Sequence, residues 1–439
     1  MHVVHVAAEA LPFVKVGGLA DVLGSLPRAL AAEGVRSTVL LPRYREIAQA
    51  LEPVGEAAYR CCGEARRARV WGADAGGVAY RFFEVDPDWT SPYEPPEDAR
   101  YLAFTQAAAA WVAGQDHDLV HAHDWHAAWV VRRAVRPAVF TIHNLAFQGV
   151  LEPARFERLT GEAPEADLLH QGKVNLMKGA LLAADRVTTV SPRYAREIQT
   201  PEFGMGLDAV LRSIRGKLTG ILNGLDTDYW NPATDRFLPQ KYDADHLERK
   251  RRNRMTLLAA LRLDPGLPAV GAVTRLTWQK GFDLVLEALP RILDLGVNFV
   301  LLGTGEAELE QGFAEAARRY PRRVAFHAAF DEARAHRIYG GADYFLMPSR
   351  YEPCGLAQMI AMRYGTPPIA RATGGLADTV EDGATGVLFE EASGEGVLAG
   401  VRRMLELDAE SLARAGMARD FSWGPRARAY RKLYEEAVP

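Results

Sequence analysis

The chain has 439 residues, with 52 Lys and Arg against 56 Asp and Glu, for a formal charge of −4. At ~150 residues per domain it is too long for one ordinary domain, and so small a charge creates no general field for nucleic acid or another large polyanion. Hydrophobic residues at 48% and charged residues at 25% match ordinary globular usage and exclude a disordered, collagenous or membrane-embedded chain.

The opening MHVVHVAAEALPFV lacks the basic start and long apolar centre of a signal peptide and reads as a strand. Short apolar runs follow at 3–7, 38–41, 119–122, 138–142, 187–190 and 218–222, with helical stretches between them. This rhythm predicts a parallel α/β sheet. The Ala-rich stretch 103–113 is short and contains Gln106, and no segment reaches the ~20 uncharged apolar residues that span a bilayer. Cys61, Cys62 and Cys354 form no disulfide framework, which suits a reducing cytoplasm. After Asn223 the rhythm lapses into Pro232, Pro239 and DADHLERKRRNR, turn residues followed by a solvated helix, which places a hinge near 238–255. It resumes at 269–273, 299–302, 324–327, 344–347, 368–370 and 386–389, a second parallel sheet. WGPRARAYRKLYEEA at 423–437 spaces Ala429, Leu433 and Tyr434 helically, a terminal helix expected to cross back to the first domain. The expected division is therefore 1–240, 241–423 and the terminal helix 424–439.

GGLADV at 17–22 returns as GGLADT at 374–379, each after an apolar strand and before a helical pattern. Paired glycines let the backbone approach a ligand, and free N–H groups at a helix start favour an anion such as phosphate. A plain tight turn with an Asp in the first helical turn is the ordinary alternative for either copy. Lys15 precedes the first pair by two residues, where the second copy has Ala372. TRLTWQKG sets Arg275 and Lys280 just beyond a strand, where open α/β sheets bind ligands, and two cations there suit a diphosphate. MPSRYEPCGL gathers Ser349, Glu352, Cys354 and Gly355 in a loop, and the lone Glu352 can accept hydrogen bonds from sugar hydroxyls or act as acid or base. Cys354 has no dedicated base beside it in sequence and reads as a small thiol packed near a ligand.

HAHDWH places His121, His123, Asp124, Trp125 and His126 after one strand, and TIHN places His143 and Asn144 after the next. Such a set can ligate a metal, but the H-E-x-x-H spacing is missing and no second ligand cluster follows. The alternative is sugar recognition by His, Asp and Asn, with Trp125 as an apolar face; no metal is expected. GTGEAE at 303–308 has Glu308 where a dinucleotide fingerprint needs its third glycine, and neither a P-loop nor a G-x-S-x-G elbow occurs.

KVGGLADV, HAHDWH, TIHNLAFQG, ILNGLDTDYWNP, TRLTWQKG, HRIYGGADYFLMPSRYEPCGLAQ and RATGGLADTV, in this order over nearly the whole chain, resemble the bacterial glycogen synthases and plant starch synthases. The resemblance implies two Rossmann-like domains whose parallel sheets face a deep interdomain cleft, the GT-B type, with hinge closure bringing Lys15 to face Arg275 and Lys280. It implies retaining transfer of glucose from ADP-glucose to the non-reducing 4-OH of an α-1,4-glucan, with no cofactor beyond that donor. UDP-glucose as donor is the nearer alternative, and a metallohydrolase on His121, His123 and His126 the one from another class. By matching positions, Lys15, Gly18, Arg275, Lys280 and backbone N–H groups near Gly375 and Leu376 hold the diphosphate, and Asp21 of KVGGLADV and Asn223 of ILNGLDTDYWNP are further substrate-binding positions. His143 and Asn144 fall to the donor glucose, Asp124, Trp125 and His126 to the sugar and acceptor side, and Ser349, Glu352, Cys354, Gly355 and Leu356 to the donor sugar. Tyr93, in SPYEPP, resembles the acceptor-side tyrosine. Two departures stand out: Ile360 occupies the place of the second glutamate of many related transferases, which fits the glycogen synthase branch, and Phe330 stands where tyrosine is frequent, keeping an aromatic face for adenine without the hydroxyl.

Overall fold

A computed structural model describes residues 1–134 and 137–438, which divide into two compact units: 1–224 with 422–439, and 225–421. In the first unit β1 (His2–Val6) and β2 (Arg36–Pro42) are followed by β3 (Glu52–Cys61), β4 (Glu64–Ala75), β5 (Val78–Glu84), β6 (Leu119–His123) and β7 (Ala138–Ile142). A three-stranded sheet of β8 (Val150–Leu151), β9 (Leu169–His170) and β10 (Lys173–Asn175) is set apart, and β11 (Arg186–Thr189) and β12 (Leu218–Gly220) rejoin the main sheet. That sheet runs β12-β11-β7-β6-β1-β2-β5-β4-β3.

The parallel strands expected of the first sheet are present, and an antiparallel edge is added to them. β4 pairs antiparallel with both β5 and β3, and β3 to β5 escaped the reading of the sequence. Only alternate side chains of β3 and β4 are buried, among them Ala57, Tyr59, Cys61, Ala68 and Val70, while Glu56, Arg66, Arg67 and Arg69 face water. A half-solvated antiparallel pair carries no continuous apolar run to announce it. Cys61 and Cys62 close the β3–β4 turn as free thiols with sulfurs 3.4 Å apart.

One face of the sheet, through Val3, Val39, Leu41, Leu119 and Val139, packs on the helix Gly18–Ala32 and the terminal helix Trp423–Ala437. The first helix buries Leu19, Val22, Leu23, Leu26 and Leu30, a stripe at three- and four-residue spacing. The terminal helix buries Trp423, Tyr430, Leu433 and Tyr434, each contributing about 1.5–3 kcal/mol by leaving water. The opposite face, through Val4, Val6, Leu40, Val120, Ala122 and Phe140, packs on Glu97–Ala113, Ala128–Arg133 and Leu176–Ala183.

The second unit holds β13 (Ala269–Val273), β14 (Asn298–Leu302), β15 (Val324–His327), β16 (Tyr344–Met347), β17 (Pro368–Arg371) and β18 (Val387–Phe389), all parallel in the order β15-β14-β13-β16-β17-β18. Its boundaries lie at 224/225 and 421/422, where the sequence suggested 240/241 and 423/424. Residues 225–240 join this unit because Asp235 is buried against His336 (2.7 Å) and Tyr364 (2.6 Å). The helix expected to be solvated near 243–254 begins at Lys250, whose buried ammonium donates to the carbonyls of Tyr339 and Tyr364 and to Thr366 Oγ1. Burial pushes that lysine down to about 7.

Counted along the parallel strands alone, the second sheet runs 3-2-1-4-5-6, and the first does the same with a seventh strand added at its far side. In each unit the order reverses between strand 1 and strand 4, the place where such sheets open a crevice at their carboxyl ends. The two GGLAD turns are not equivalent in this count: the first follows strand 1 (β1) and the second follows strand 5 (β17).

Candidate active site

In the first unit, the strand-1 loop carries Glu9, Lys15 and the first glycine pair, the strand-4 loop carries Asp124 to His126, and the strand-5 loop carries His143 and Asn144. In the first glycine turn, two backbone N–H groups ahead of the helix are already engaged by a carboxylate. The buried carboxylate of Glu9 accepts from the backbone N–H of Val16 (2.5 Å) and Gly17 (2.9 Å), and Tyr93 Oη donates to it at 3.0 Å. Burial pushes Glu9 up from the usual carboxylate range, and those three donors pull the other way. Sequence reading missed Glu9. Its signal was an acidic residue directly beyond an apolar strand with no cation beside it in AAEA.

Gly18 is the exposed first residue of its helix. Lys15 Nζ donates to Asp21 Oδ1 at 2.8 Å, on that helix's first turn. Asp124 lies at φ 58°, and Tyr93 at φ 65°, two non-glycine residues in a region that costs about 1–3 kcal/mol and persists where surrounding contacts enforce it. For Asp124 those contacts are the N–H groups of His143 (2.7 Å) and Asn144 (3.3 Å), both donating to Oδ1. They favour the ionised form, yet burial outweighs them and Asp124 is pushed up to about 7. Trp125 and His126 are buried in an aromatic cluster with Tyr93 and Tyr101. The Trp125 ring therefore lies in the wall, where the sequence suggested a free face for sugar. Asn223 is buried, and its Oδ1 has no hydrogen-bond partner among the described residues.

The histidines do not assemble as the metal reading required. His121 and His123 share a face of β6 with His5 of β1, and it is these three that bring ring nitrogens within 4.8 Å of one another. His126 lies beyond the strand against Tyr101. Both nitrogens of His121 are engaged, Nδ1 with Tyr434 Oη (2.8 Å) and Nε2 with Thr141 Oγ1 (2.6 Å). Burial pushes His5, His126 and His143 down to about 3, and His121 and His123 well below their ordinary value.

In the second unit the strand-1 loop carries Arg275 and Lys280, and the strand-4 loop carries Ser349 to Leu356. They meet at the point where the strand order reverses. Lys280 Nζ donates to Glu352 Oε2 at 2.6 Å, and Ser349 Oγ donates to the same oxygen at 3.0 Å. Arg275 is exposed, with no ion pair among the described residues. The glycines of the broken GTGEAE fingerprint have a packing role: a Cβ on Gly305 would stand 2.0 Å from the Leu276 carbonyl oxygen, so only glycine lets this loop press against the one holding Arg275. Gly375 is needed for the same reason, 2.1 Å from the Cys354 carbonyl oxygen. Its N–H donates to the Glu352 carbonyl and that of Leu376 to Thr373, so these amides too are engaged rather than free. Cys354 is buried, Gly355 and Leu356 are half-buried, and Phe330 is 87% exposed beyond β15.

Two such α/β units with their charged loops at the strand-order reversals define the GT-B class of glycosyltransferases. The fold agrees with that of sucrose-phosphate synthase from Thermosynechococcus elongatus, at a TM-score of 0.66 and 21% identity over 99% of this chain and 98% of that one. The family model described as the starch synthase catalytic domain matches residues 2–213, and that of glycosyl transferases group 1 matches 254–419. Glycogen synthase from Thermus thermophilus is 49% identical over 446 residues, and that from Myxococcus xanthus 42% over 482, each covering 100% of both chains. The catalytic domain of Starch Synthase IV from Arabidopsis thaliana, bound to ADP and acarbose, has a TM-score of 0.92 and 34% identity over 100% of this chain and 99% of that one. The chain belongs to the glycogen synthase and starch synthase family of glycosyltransferases.

Proposed function

We propose that the chain transfers glucose from ADP-glucose to the non-reducing 4-OH of an α-1,4-glucan with retention of configuration. The observation that carries this reading is the Lys280–Glu352 pair, with exposed Arg275 in the same loop as Lys280, at the strand-order reversal of the second unit. The ADP and acarbose bound by the Arabidopsis relative support it. As the donor's C1–O bond breaks, its electron pair stays with the diphosphate and positive charge builds on the sugar ring. Arg275 and Lys280 of the second unit stabilise that departing charge where it develops, and Lys15 is assigned as the diphosphate-binding cation of the first unit. The reading uses these cations in place of a divalent metal. The acceptor oxygen bonds C1 on the face the diphosphate leaves, and its proton passes to the departing phosphate oxygen, giving ADP and a glucan longer by one unit.

Retention by double displacement needs a carboxylate nucleophile. Glu352 is bonded to Lys280 and Ser349, and Asp124 to two backbone amides, so both are assigned to holding sugar hydroxyls. Gly18 is assigned to the diphosphate side, Asp21 and Asn223 to substrate binding, His143, Asn144, Ser349, Cys354, Gly355 and Leu356 to the donor sugar, Phe330 to adenine, and Tyr93, Trp125 and His126 to the acceptor side, while Gly375 supports the Glu352 loop through its engaged amide and Leu376 closes the turn at Thr373.

The test supplies ADP-glucose or UDP-glucose with glycogen, with and without EDTA, and measures nucleoside diphosphate release. Release from ADP-glucose that EDTA leaves unchanged and that Lys15→Ala and Glu352→Ala both suppress is expected. No release from either donor ends the transferase reading, and a covalent glucosyl adduct trapped on Glu352 or Asp124 with a slow fluorinated donor ends the front-face mechanism.

A further inference from the structure

Three histidines of the first unit form a continuous chain of ring nitrogens. His5 Nδ1 lies 3.3 Å from His123 Nε2, and His123 Nδ1 lies 3.0 Å from His143 Nε2. The chain starts in the core, where His5 is fully buried, and ends at half-buried His143 in the strand-5 loop. His121 lies tilted beside it, 4.0 Å from His123 between ring centres, but its nitrogens bond Tyr434 and Thr141 and stand outside the chain. At the core end, His5 Nε2 is buried without a partner among the described residues. At the other end, no partner is found for His143 Nδ1 among them.

We propose that His5 and His123 are positioning residues that fix the tautomer of His143, so that it meets its ligand as an N–H donor through Nδ1. Burial keeps all three rings neutral, so each carries one proton. Two nitrogen-to-nitrogen contacts then allow two directions for the whole chain. In one, His5 Nδ1–H donates to His123, His123 Nδ1–H donates to His143 Nε2, and the last proton sits on His143 Nδ1, facing the loop. In the other every donor reverses, and the last proton sits on His5 Nε2, an N–H sealed in the core with nothing to accept it. Orphaned buried N–H groups are the rarer defect in folded proteins, and a bare acceptor is tolerated more often. The first direction strands only a lone pair and delivers the donor to the end a ligand can reach. It sets three rings in the Nδ1–H form, against the ordinary preference of free imidazole for Nε2–H.

The role of that donor rests on the proposed assignment of His143 to the donor sugar, but the tautomer is measurable without activity. In protein carrying 15N-labelled histidine, two-bond proton–nitrogen correlations at pH 7.5 are expected to show His5, His123 and His143 all protonated at Nδ1. His123→Asn, which keeps an N–H at the Nδ1 position, is expected to preserve the His143 tautomer. His123→Leu is expected to return His143 to Nε2–H and lower kcat/KM for ADP-glucose about 10-fold with the glucan KM unchanged. His143 protonated at Nε2 in the unaltered protein overturns the proposal, as does a stoichiometric metal ion held by the cluster or an unchanged tautomer in a folded His123→Leu. If that variant does not fold, the unaltered protein and His123→Asn decide. If ADP-glucose is not turned over but all three rings are Nδ1–H, the functional reading fails and the relay stands.

Discussion

The two units use one strand order to hold the same kinds of charge and treat them differently. In both, the loop after strand 1 carries cations, Lys15 in one and Arg275 with Lys280 in the other, and the loop after strand 4 carries a carboxylate, Asp124 or Glu352. In the second unit cation and carboxylate meet across the strand-order reversal at 2.6 Å. In the first they are satisfied separately: Lys15 by Asp21 of its own helix, Asp124 by the amides of His143 and Asn144, and the glycine turn by Glu9. A carboxylate sharing a buried site with a cation has a local countercharge. Asp124 and Glu9 rely on neutral donors, and burial raises both.

The largest consequence is expected at Lys280. Lys280→Ala removes the cation proposed to face the departing diphosphate and leaves buried Glu352 without its countercharge, so kcat should fall by about 10²–10³-fold and stability in urea unfolding by ~3 kcal/mol or more. Lys15→Ala should lower the rate while costing under ~1 kcal/mol of stability, because its pair with Asp21 is partly exposed. Equal stability losses in the two variants would break the contrast between the units.

Next in size is the dependence of the first unit on the chain's end. Tyr434→Ala should destabilise it by about 3–5 kcal/mol, in the range of aromatic-to-alanine core substitutions, whereas Tyr434→Phe should cost only about 1 kcal/mol for the hydrogen bond to His121. Calorimetry reporting the units separately would show whether the second keeps its own transition in Tyr434→Ala.

The pH profile sharpens the comparison further. Asp124 is raised in the folded chain to about 7, above its unfolded value near 3.8, so between these values the native state holds a proton the unfolded state has lost. Stability from this group therefore falls as pH rises through that window, by at most about 1.4 kcal/mol per pH unit, and levels off above 7. Asp124→Asn should remove this decline, growing more stable relative to the unaltered protein from pH 4 to 7. The buried histidines act oppositely: their folded values are lowered, so they stay neutral and cost stability as pH falls below ~6.5. The difference between the two proteins isolates Asp124. A difference flat with pH would show that the amides of His143 and Asn144 outweigh burial.

The smallest effect is expected at Phe330, 87% exposed. Phe330→Ala should leave the unfolding midpoint unchanged and raise KM for ADP-glucose by about 5- to 10-fold, at the lower end of base–aromatic stacking.

Much of this was legible before the structure. Continuous apolar runs mark buried parallel strands because both faces are covered, and residues just past such runs fall at the sheet's carboxyl edge, which is why Asp124, His143, Arg275, Lys280 and Glu352 could each be placed at a strand end from the sequence. β3 and β4 were hidden because half their side chains are solvated. The unit boundary was misplaced because Asp235 reads as a loop residue until His336 and Tyr364 are seen to enclose it.

By itself, then, the sequence determined the α/β class, the paired strand rhythm and which chemical groups stand at strand ends, since these depend on local pattern. Only the tertiary structure decided which groups meet. That Tyr93 reaches Glu9 across 84 positions, that Lys280 reaches Glu352 across 72, and that His5 lies beside His123 at 118 positions' distance follow from strand order and register. Strand order and register are set by cooperative burial of whole sheets, which no local pattern records.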